Sequence, residues 1–150
     1  MATTFTNLLY HIVFSTKNRN ALIVPDLRDR LYPYLGGIIR AEKGTLLEIG
    51  GMSDHIHLLV RMRAENSIAE MTRLIKSNSS KWINEEVKQP TRFGWQTGYA
   101  AFSVSESQTP VVRQYLQNQE KHHRKTTFQD EFLALLERHG IEFNPRYVWD

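Results

Sequence analysis

Two histidines separated by a single isoleucine are the first residues of this chain whose spacing could support chemistry. His55 and His57 lie in the stretch SDHIHLLV, whose apolar run is typical of a β-strand. Alternate side chains of a strand point to the same face, so both imidazoles could reach one divalent ion. Two ligands leave most of a coordination shell unassigned. The pair alone is therefore equally compatible with a metal site and with two packed histidines.

A tyrosine and a glutamine near the C-terminus form a second candidate pair. Tyr115 and Gln119 are four residues apart in VVRQYLQNQEKHH, so they share one face of the predicted helix. Gln119 could supply the histidine pair with a third ligand. A partly buried tyrosine beside a solvated glutamine explains the same spacing at least as well. His122 and His123 follow within a turn. Either could approach a metal or a phosphate, and either could be a surface histidine.

Composition narrows the class of protein. With 41% hydrophobic and 23% charged residues, the 150-residue chain fits one soluble globular domain over residues 1–150. The absence of cysteine excludes disulfides, thiolate nucleophiles and cysteine-ligated zinc. A ratio of 19 Lys and Arg to 16 Asp and Glu permits a nucleic-acid partner without requiring one. No apolar stretch is long enough for a bilayer and no signal peptide is evident, so we expect a cytoplasmic protein.

The pattern of apolar residues predicts which elements position these side chains. It indicates strands over 8–15, 45–51, 55–62 and 98–105, and helices over 26–43, 67–87, 109–123 and 128–139. Ser67 and Thr109 are the predicted N-caps, and the last helix follows Thr127. The order β-α-β-β-α-β followed by two helices predicts an α+β fold, with a ferredoxin-like or RRM-like antiparallel sheet covered by helices on one face. We expect the other face, with both histidines of SDHIHLLV, to stay open for a site.

Five motifs, taken in order, carry a family resemblance. YHIVFSTKNR, SDHIHLLV, KSNSSKWIN, FGWQTGYAAFSVS and YLQNQEKHHRKTTFQDEF together resemble the single-tyrosine HUH transposases of the smallest bacterial insertion sequences. Relatives of these enzymes are associated with repetitive extragenic palindromes. The resemblance spans nearly the entire chain. His-hydrophobic-His with Tyr-x-x-x-Gln about sixty residues later is a specific combination, although neither half is specific alone.

The resemblance implies an activity and roles for four residues. The family cuts and rejoins single-stranded DNA at insertion-sequence ends, and the match implies that His55, His57 and Gln119 hold Mg²⁺ or Mn²⁺. It also implies that Tyr115 attacks a phosphodiester, leaving a 5′-phosphotyrosine and a free 3′-OH without any nucleotide cofactor. A shell of two imidazoles and one carboxamide is neutral. We therefore expect modest metal affinity in the absence of DNA.

The resemblance also implies partners. The expected substrate is single-stranded DNA with a hairpin near each element end, and the expected assembly is a homodimer in which Tyr115 serves its own or the partner's histidines, with residues 105–109 as the hinge. Side chains within the motifs could contact phosphates or stack on bases, although each could instead lie on a solvated face or in the core. They are Lys17, Arg19, Lys76, Lys81 and Arg92, with Trp82, Phe93 and Trp95.

Two other functions are compatible with parts of the sequence. An inactive relative would only bind hairpin DNA or RNA. The joint presence of His55, His57, Tyr115 and Gln119 argues against it, because a pure binder needs none of this chemistry. HUH nucleases of plasmid replication or transfer are usually larger, and we expect no room for a second domain in this chain.

Overall fold

The computed structural model describes residues 3–150. These residues form four strands and five helices, joined by loops and short helical turns. Over these residues no helix is long and apolar enough to cross a membrane. Short helical turns lie at Lys17–Arg19, Ile83–Val87 and Glu106–Gln108. The strands are β1 (Leu8–Ser15), β2 (Thr45–Met52), β3 (His55–Met62) and β4 (Ala100–Val104); the helices are α1 (Pro25–Ala41), α2 (Ile68–Trp82), α3 (Thr109–Gln117), α4 (Gln119–His122) and α5 (Phe128–Arg138).

The strands form one antiparallel sheet in the order β2-β3-β1-β4. This order and the connecting helices confirm the ferredoxin-like βαββαβ arrangement. The register of β1 against β3 pairs Val13 with His57 and His11 with Leu59. Paired residues share a face of the sheet, so His11 lies on the same face as the two histidines of β3.

One face of the sheet packs against α1 and α2. Alternate residues of the central strands enter this main core, as the period of two predicts. A β-bulge between Leu46 and Glu48 shifts the phase of β2, so that Leu46 and Ile49 both pack here although they are three residues apart. The core includes Ile12, Phe14, Ile56, Leu58 and Val60 from the sheet and Leu31, Leu35, Met71 and Ile75 from the helices.

The second face is covered as well, and the expectation of an open face is wrong. A separate apolar cluster joins Val13, Ala100 and Phe102 of the sheet to Phe128, Phe132, Leu135 and Leu136 of α5. These α5 positions form one helical stripe, which is buried against the sheet because apolar surface is excluded from water. His55 and His57 are consequently fully buried, with 0% exposure.

Of the two predicted N-caps, the one at Ser67 is confirmed and the one at Thr109 is wrong, while Thr127 also caps a helix. The hydroxyl of Ser67 accepts a hydrogen bond from the backbone N–H of Glu70 at 3.1 Å, and that of Thr127 accepts one from Asp130 at 3.2 Å. Thr109 has helical backbone angles and caps nothing, since the turn Glu106–Gln108 leads directly into α3. The helix predicted over 109–123 is also interrupted, because Asn118 departs from helical geometry at φ −97° and ψ 17°.

Helix α3 lies directly on β2 because Gly50 has no side chain. A Cβ at Gly50 would overlap the carbonyl oxygen of Leu116. The carboxylate of Glu48 holds the same helix, since it accepts a hydrogen bond from Gln117 Nε2 at 2.9 Å and lies 3.5 Å from Arg113 Nε. This close approach sets the height of α3, and hence of Tyr115, above the sheet.

We predict that Gly50→Ala destabilises the protein by about 1–3 kcal/mol, because the added methyl group meets rigid backbone rather than a flexible side chain. Urea denaturation measures the change in the free energy of unfolding. Gly37→Ala is the matched control, since its Cβ would enter ordinary space inside α1, and it should stabilise the protein by about 0.5–1 kcal/mol. Equal effects of the two substitutions would contradict the close packing of α3 on β2.

Candidate active site

Five polar side chains converge on one point beneath the C-terminal helices. His55 and His57 come from β3, Gln119 begins α4, His123 follows α4 and Glu131 lies on α5. One ligating atom from each histidine and from Glu131 lies within 4.8 Å of the others. The structure therefore gathers three imidazoles, a carboxamide and a carboxylate in a single chain.

The distances inside this cluster suit a shared ion. Glu131 Oε1 is 3.0 Å from His57 Nε2, 3.1 Å from His123 Nε2 and 3.5 Å from His55 Nε2. Gln119 Oε1 is 3.0 Å from the Nε2 atoms of both His55 and His123. Atoms about 3 Å apart can bind one divalent cation at bond lengths of about 2.1 Å. The donor set therefore fits a metal ion.

The outward nitrogens orient the imidazoles. His55 Nδ1–H donates to Asp54 Oδ1 at 2.7 Å, and His123 Nδ1–H donates to the carbonyl oxygen of Thr126 at 2.7 Å. Both acceptors lack a proton, so in the neutral imidazoles each Nε2 carries a lone pair directed into the cluster. Metal-binding histidines are commonly held in this way.

His57 is oriented by another histidine. Its Nδ1 lies 2.8 Å from Nε2 of the buried His11, so a single proton is shared between the two rings. Burial and neighbouring His57 lower the pKa of His11 to about 3. Burial also lowers the pKa of His57 to about 4, against the opposing effect of Glu131. Both rings are neutral near pH 7, which leaves His57 Nε2 able to act as a ligand.

The Glu131 carboxylate joins the histidine cluster to the tyrosine. Its Oε2 accepts hydrogen bonds from the Tyr115 hydroxyl and, at 2.9 Å, from Gln119 Nε2. Burial raises the pKa of Glu131, but hydrogen bonds from His123 and His57 outweigh burial and lower the net value. Burial and the hydrogen bond to Glu131 raise the pKa of Tyr115. Without a metal, the centre pairs an anionic carboxylate with a neutral phenol.

The two adjacent histidines after Gln119 differ in their surroundings. Burial lowers the pKa of His123, but the hydrogen bond and charge of Glu131 outweigh burial and raise it. His122 packs beside the Tyr115 ring, with centroids 5.6 Å apart, and its buried Nε2 lies 3.4 Å from Glu131 Oε2 without a hydrogen bond to any of residues 3–150. His123 therefore belongs to the cluster, whereas His122 borders the tyrosine.

The structure brings together all four residues that the sequence singled out, and adds three. His55, His57, Gln119 and Tyr115 meet within one chain. Sequence reasoning missed His11 and Glu131, and it left the place of His123 open. A signal for Glu131 existed, because it shares the apolar stripe of Phe128, Phe132 and Leu135, where an ionisable residue is unusual.

The predicted DNA contacts separate into cations that are exposed and cations that are engaged in contacts within the protein. Lys17 and Arg92 are exposed and line a cavity of about 430 Å³, and Lys81 is exposed in the last turn of α2. Lys76 instead donates to the carbonyl oxygens of Thr97 and Gly98, and burial lowers its pKa to about 8. The Arg19 guanidinium lies 5.0 Å above the Trp149 ring.

The predicted stacking aromatics take part in packing. Trp82 stacks on Tyr34 with ring centroids 4.1 Å apart, between α1 and α2. Trp95 packs edge-on against Phe14 and Phe93 and donates its indole N–H to Ser79 Oγ at 2.9 Å. Phe93 is buried. These contacts favour a structural role for all three predicted residues.

Comparison with protein families gives a match that covers most of the chain. Residues 4–119 match the model of the family described as IS200-like transposases. The chain is also similar to the ISDra2 transposase TnpA of Deinococcus radiodurans, with 24% identity over 117 residues. That alignment covers 75% of this chain and 84% of the relative.

Two solved structures share the fold. A crystal structure from Deinococcus radiodurans R1, described as that of a transposase, has a TM-score of 0.62 and 26% identity, and the match covers 79% of this chain and 95% of the other. A REP-associated tyrosine transposase bound to a REP hairpin has a TM-score of 0.55, with 77% and 67% coverage. Its identity is 11%, so that likeness concerns the fold alone.

We predict that Glu131→Gln lowers the pKa of His123, because the substitution removes the charge that opposes burial. In metal-free wild type, His123 should titrate above its ordinary value of 6.5. Its contribution to stability is then present below that value and is lost as the pH rises through the raised pKa. NMR titration of the His123 ring protons measures the shift. Glu137→Gln, at an exposed position of the same helix, is the control and should leave that titration unchanged.

Proposed function

The chain belongs to the family of IS200-like transposases, and on that premise we propose that it cuts and rejoins single-stranded DNA at insertion-sequence ends with Tyr115 as the nucleophile. One observation carries the proposal. The Tyr115 hydroxyl is hydrogen-bonded into the buried cluster that contains His55, His57 and Gln119. The nucleophile and the candidate ligands thus share one centre.

The proposed reaction exchanges one phosphodiester for another. The Tyr115 hydroxyl oxygen attacks phosphorus, the bond from phosphorus to the 3′-oxygen breaks, and a 5′-phosphotyrosine forms. The phenolic proton leaves the tyrosine and the departing 3′-oxygen gains a proton, so the step is balanced. Attack by another 3′-OH reverses it and joins the new ends. The bond energy is kept in the phosphotyrosine, and no nucleotide cofactor is required.

The surroundings of Tyr115 explain why it needs a cation. A phenol of ordinary pKa near 10 is a poor nucleophile at neutral pH, and here burial and Glu131 raise the pKa further. His55, His57 and Gln119 would hold a divalent ion, Mg²⁺ or Mn²⁺, whose charge favours the phenolate and polarises the phosphate. Asp54 and His11 keep the two imidazoles in the orientation that binding requires.

The substrate and assembly are proposed on the same premise. The REP-associated relative is bound to a hairpin, and we propose single-stranded DNA with hairpin ends as the substrate here. Lys17 and Arg92 at their shared cavity, with Lys81 on α2, are the proposed phosphate contacts. We also propose a homodimer. Because each chain holds a full set of candidate residues, Tyr115 would act with the histidines of its own chain.

We predict that wild type forms a covalent adduct with hairpin-bearing single-stranded DNA taken from the sequence flanking the gene, when Mg²⁺ or Mn²⁺ is present. Denaturing gel electrophoresis detects the adduct. Tyr115→Phe should form none, because the nucleophilic oxygen is missing, and Tyr147→Phe, at an exposed tyrosine, should match wild type. His57→Ala should abolish the adduct while leaving DNA binding largely intact. An adduct in Tyr115→Phe, or no adduct in wild type, would contradict the proposal.

We predict that Lys17→Ala and Arg92→Ala weaken DNA binding, each reducing the slope of log affinity against log salt by about one. Fluorescence anisotropy with a labelled hairpin over a range of salt concentrations measures the slope. Lys43→Ala, at an exposed position after α1, is the matched control and should leave the slope unchanged. Unchanged slopes in both test variants would remove this cavity from the DNA path.

A further inference from the structure

We propose that His123 and Glu131 join His55, His57 and Gln119 as the five ligands of one metal ion. This ligand set carries one negative charge, binds its ion before DNA binds and prefers a first-row transition ion to Mg²⁺. This inference rests on the proposed function for the location of the centre and deepens it. It assigns two ligands that the resemblance does not supply. It also reverses the expectation of a neutral shell with modest affinity in the absence of DNA.

The orientation of His123 is the first argument. Its Nδ1–H is committed to the carbonyl oxygen of Thr126 at 2.7 Å, as that of His55 is committed to Asp54. Its Nε2 is 3.0 Å from Gln119 Oε1 and 3.1 Å from Glu131 Oε1. A third imidazole is thus held in the same way as the first, with its ligating nitrogen turned to the same point.

The charge balance of the centre is the second argument. The inward lone pairs of neutral His55 and His123 face the oxygens of Gln119 and Glu131, all of which are acceptors. A proton on Nε2 of His57 or His123 lets that ring donate to Glu131 Oε1, and without a proton the converging acceptors repel each other unless a cation binds between them. Protonated His123 is one solution. A metal ion bound to Nε2 and Oε1 satisfies the same atoms together.

The position of the carboxylate is the third argument. Glu131 is 3% exposed, and its two oxygens serve different neighbours, with Oε1 among the imidazoles and Oε2 accepting from Tyr115 and Gln119. Oε1 can therefore bind an ion while Oε2 remains bonded to the tyrosine. A carboxylate inside the chain supplies the negative charge that a neutral shell would have to take from DNA phosphate.

The donor types determine which ion is favoured. Three imidazole nitrogens suit first-row transition ions, whereas Mg²⁺ prefers oxygen donors and keeps several waters. Only two of the five donors here are oxygens, and four of the five residues are buried while His123 is half-buried. Mn²⁺ is the probe of choice, because it is paramagnetic and binds both nitrogen and oxygen ligands.

The test is metal binding by the DNA-free chain after EDTA treatment and dialysis. Titration calorimetry should show one Mn²⁺ per chain, and Mg²⁺ should bind at least tenfold more weakly. Glu131→Gln and His123→Ala should each weaken Mn²⁺ binding at least tenfold, whereas Glu137→Gln should match wild type. Equal affinities in wild type and both site variants, or binding of Mn²⁺ only after DNA is added, would overturn the proposal.

Pulsed EPR of Mn²⁺-loaded wild type provides a test that does not depend on whether the variants fold. It counts the coordinated imidazole nitrogens, and three support the five-donor centre whereas two overturn it. The outcome is separable from that of the adduct assay. An adduct together with an ion bound by two imidazoles would support the transposase proposal and contradict the five-donor centre. An ion bound by three imidazoles without any adduct would support the five-donor centre and contradict the transposase proposal.

Discussion

The buried carboxylate of Glu131 is the interaction on which the C-terminal half of the structure depends. Burying an unpaired carboxylate costs several kcal/mol, so it must be surrounded by donors. Its partners come from four separate elements: His57 from β3, Tyr115 from α3, Gln119 from α4 and His123 from the following turn. The position of each element is therefore tied to the same charge, and a displaced helix would leave that charge unpaired.

The sheet imposes a second constraint, which decides how near the tyrosine comes to the histidines. The bulge after Leu46 turns Glu48 and Gly50 toward α3. Gly50 then allows the backbone at Leu116 to approach the strand, and Glu48 holds the helix through Gln117. An apolar cluster under α5 covers the rest of this face. The packing of apolar residues thus places the polar centre beneath the C-terminal helices.

The same contacts that assemble the centre also disfavour ionisation of the Tyr115 phenol. Glu131 accepts a hydrogen bond from the Tyr115 hydroxyl. Burial and this hydrogen bond raise the pKa of the phenol. His11 and His57 remain neutral because burial penalises their charged forms. A positive ion among the imidazoles would offset the carboxylate charge next to the tyrosine. In the mechanism that we propose, assembly of the centre and activation of the tyrosine are therefore separate events at one site.

Local pattern by itself determined the elements, because strand alternation and helix caps act over a few residues. It defined β1, β3 and the cap at Ser67, and the resemblance to a family paired His55 and His57 with Tyr115 and Gln119. It could not show the helix break at Asn118, the place of His11 behind His57, or the arrival of Glu131 on the buried face. Those depend on sheet register and helix docking, which only the burial of residues far apart in the chain decides.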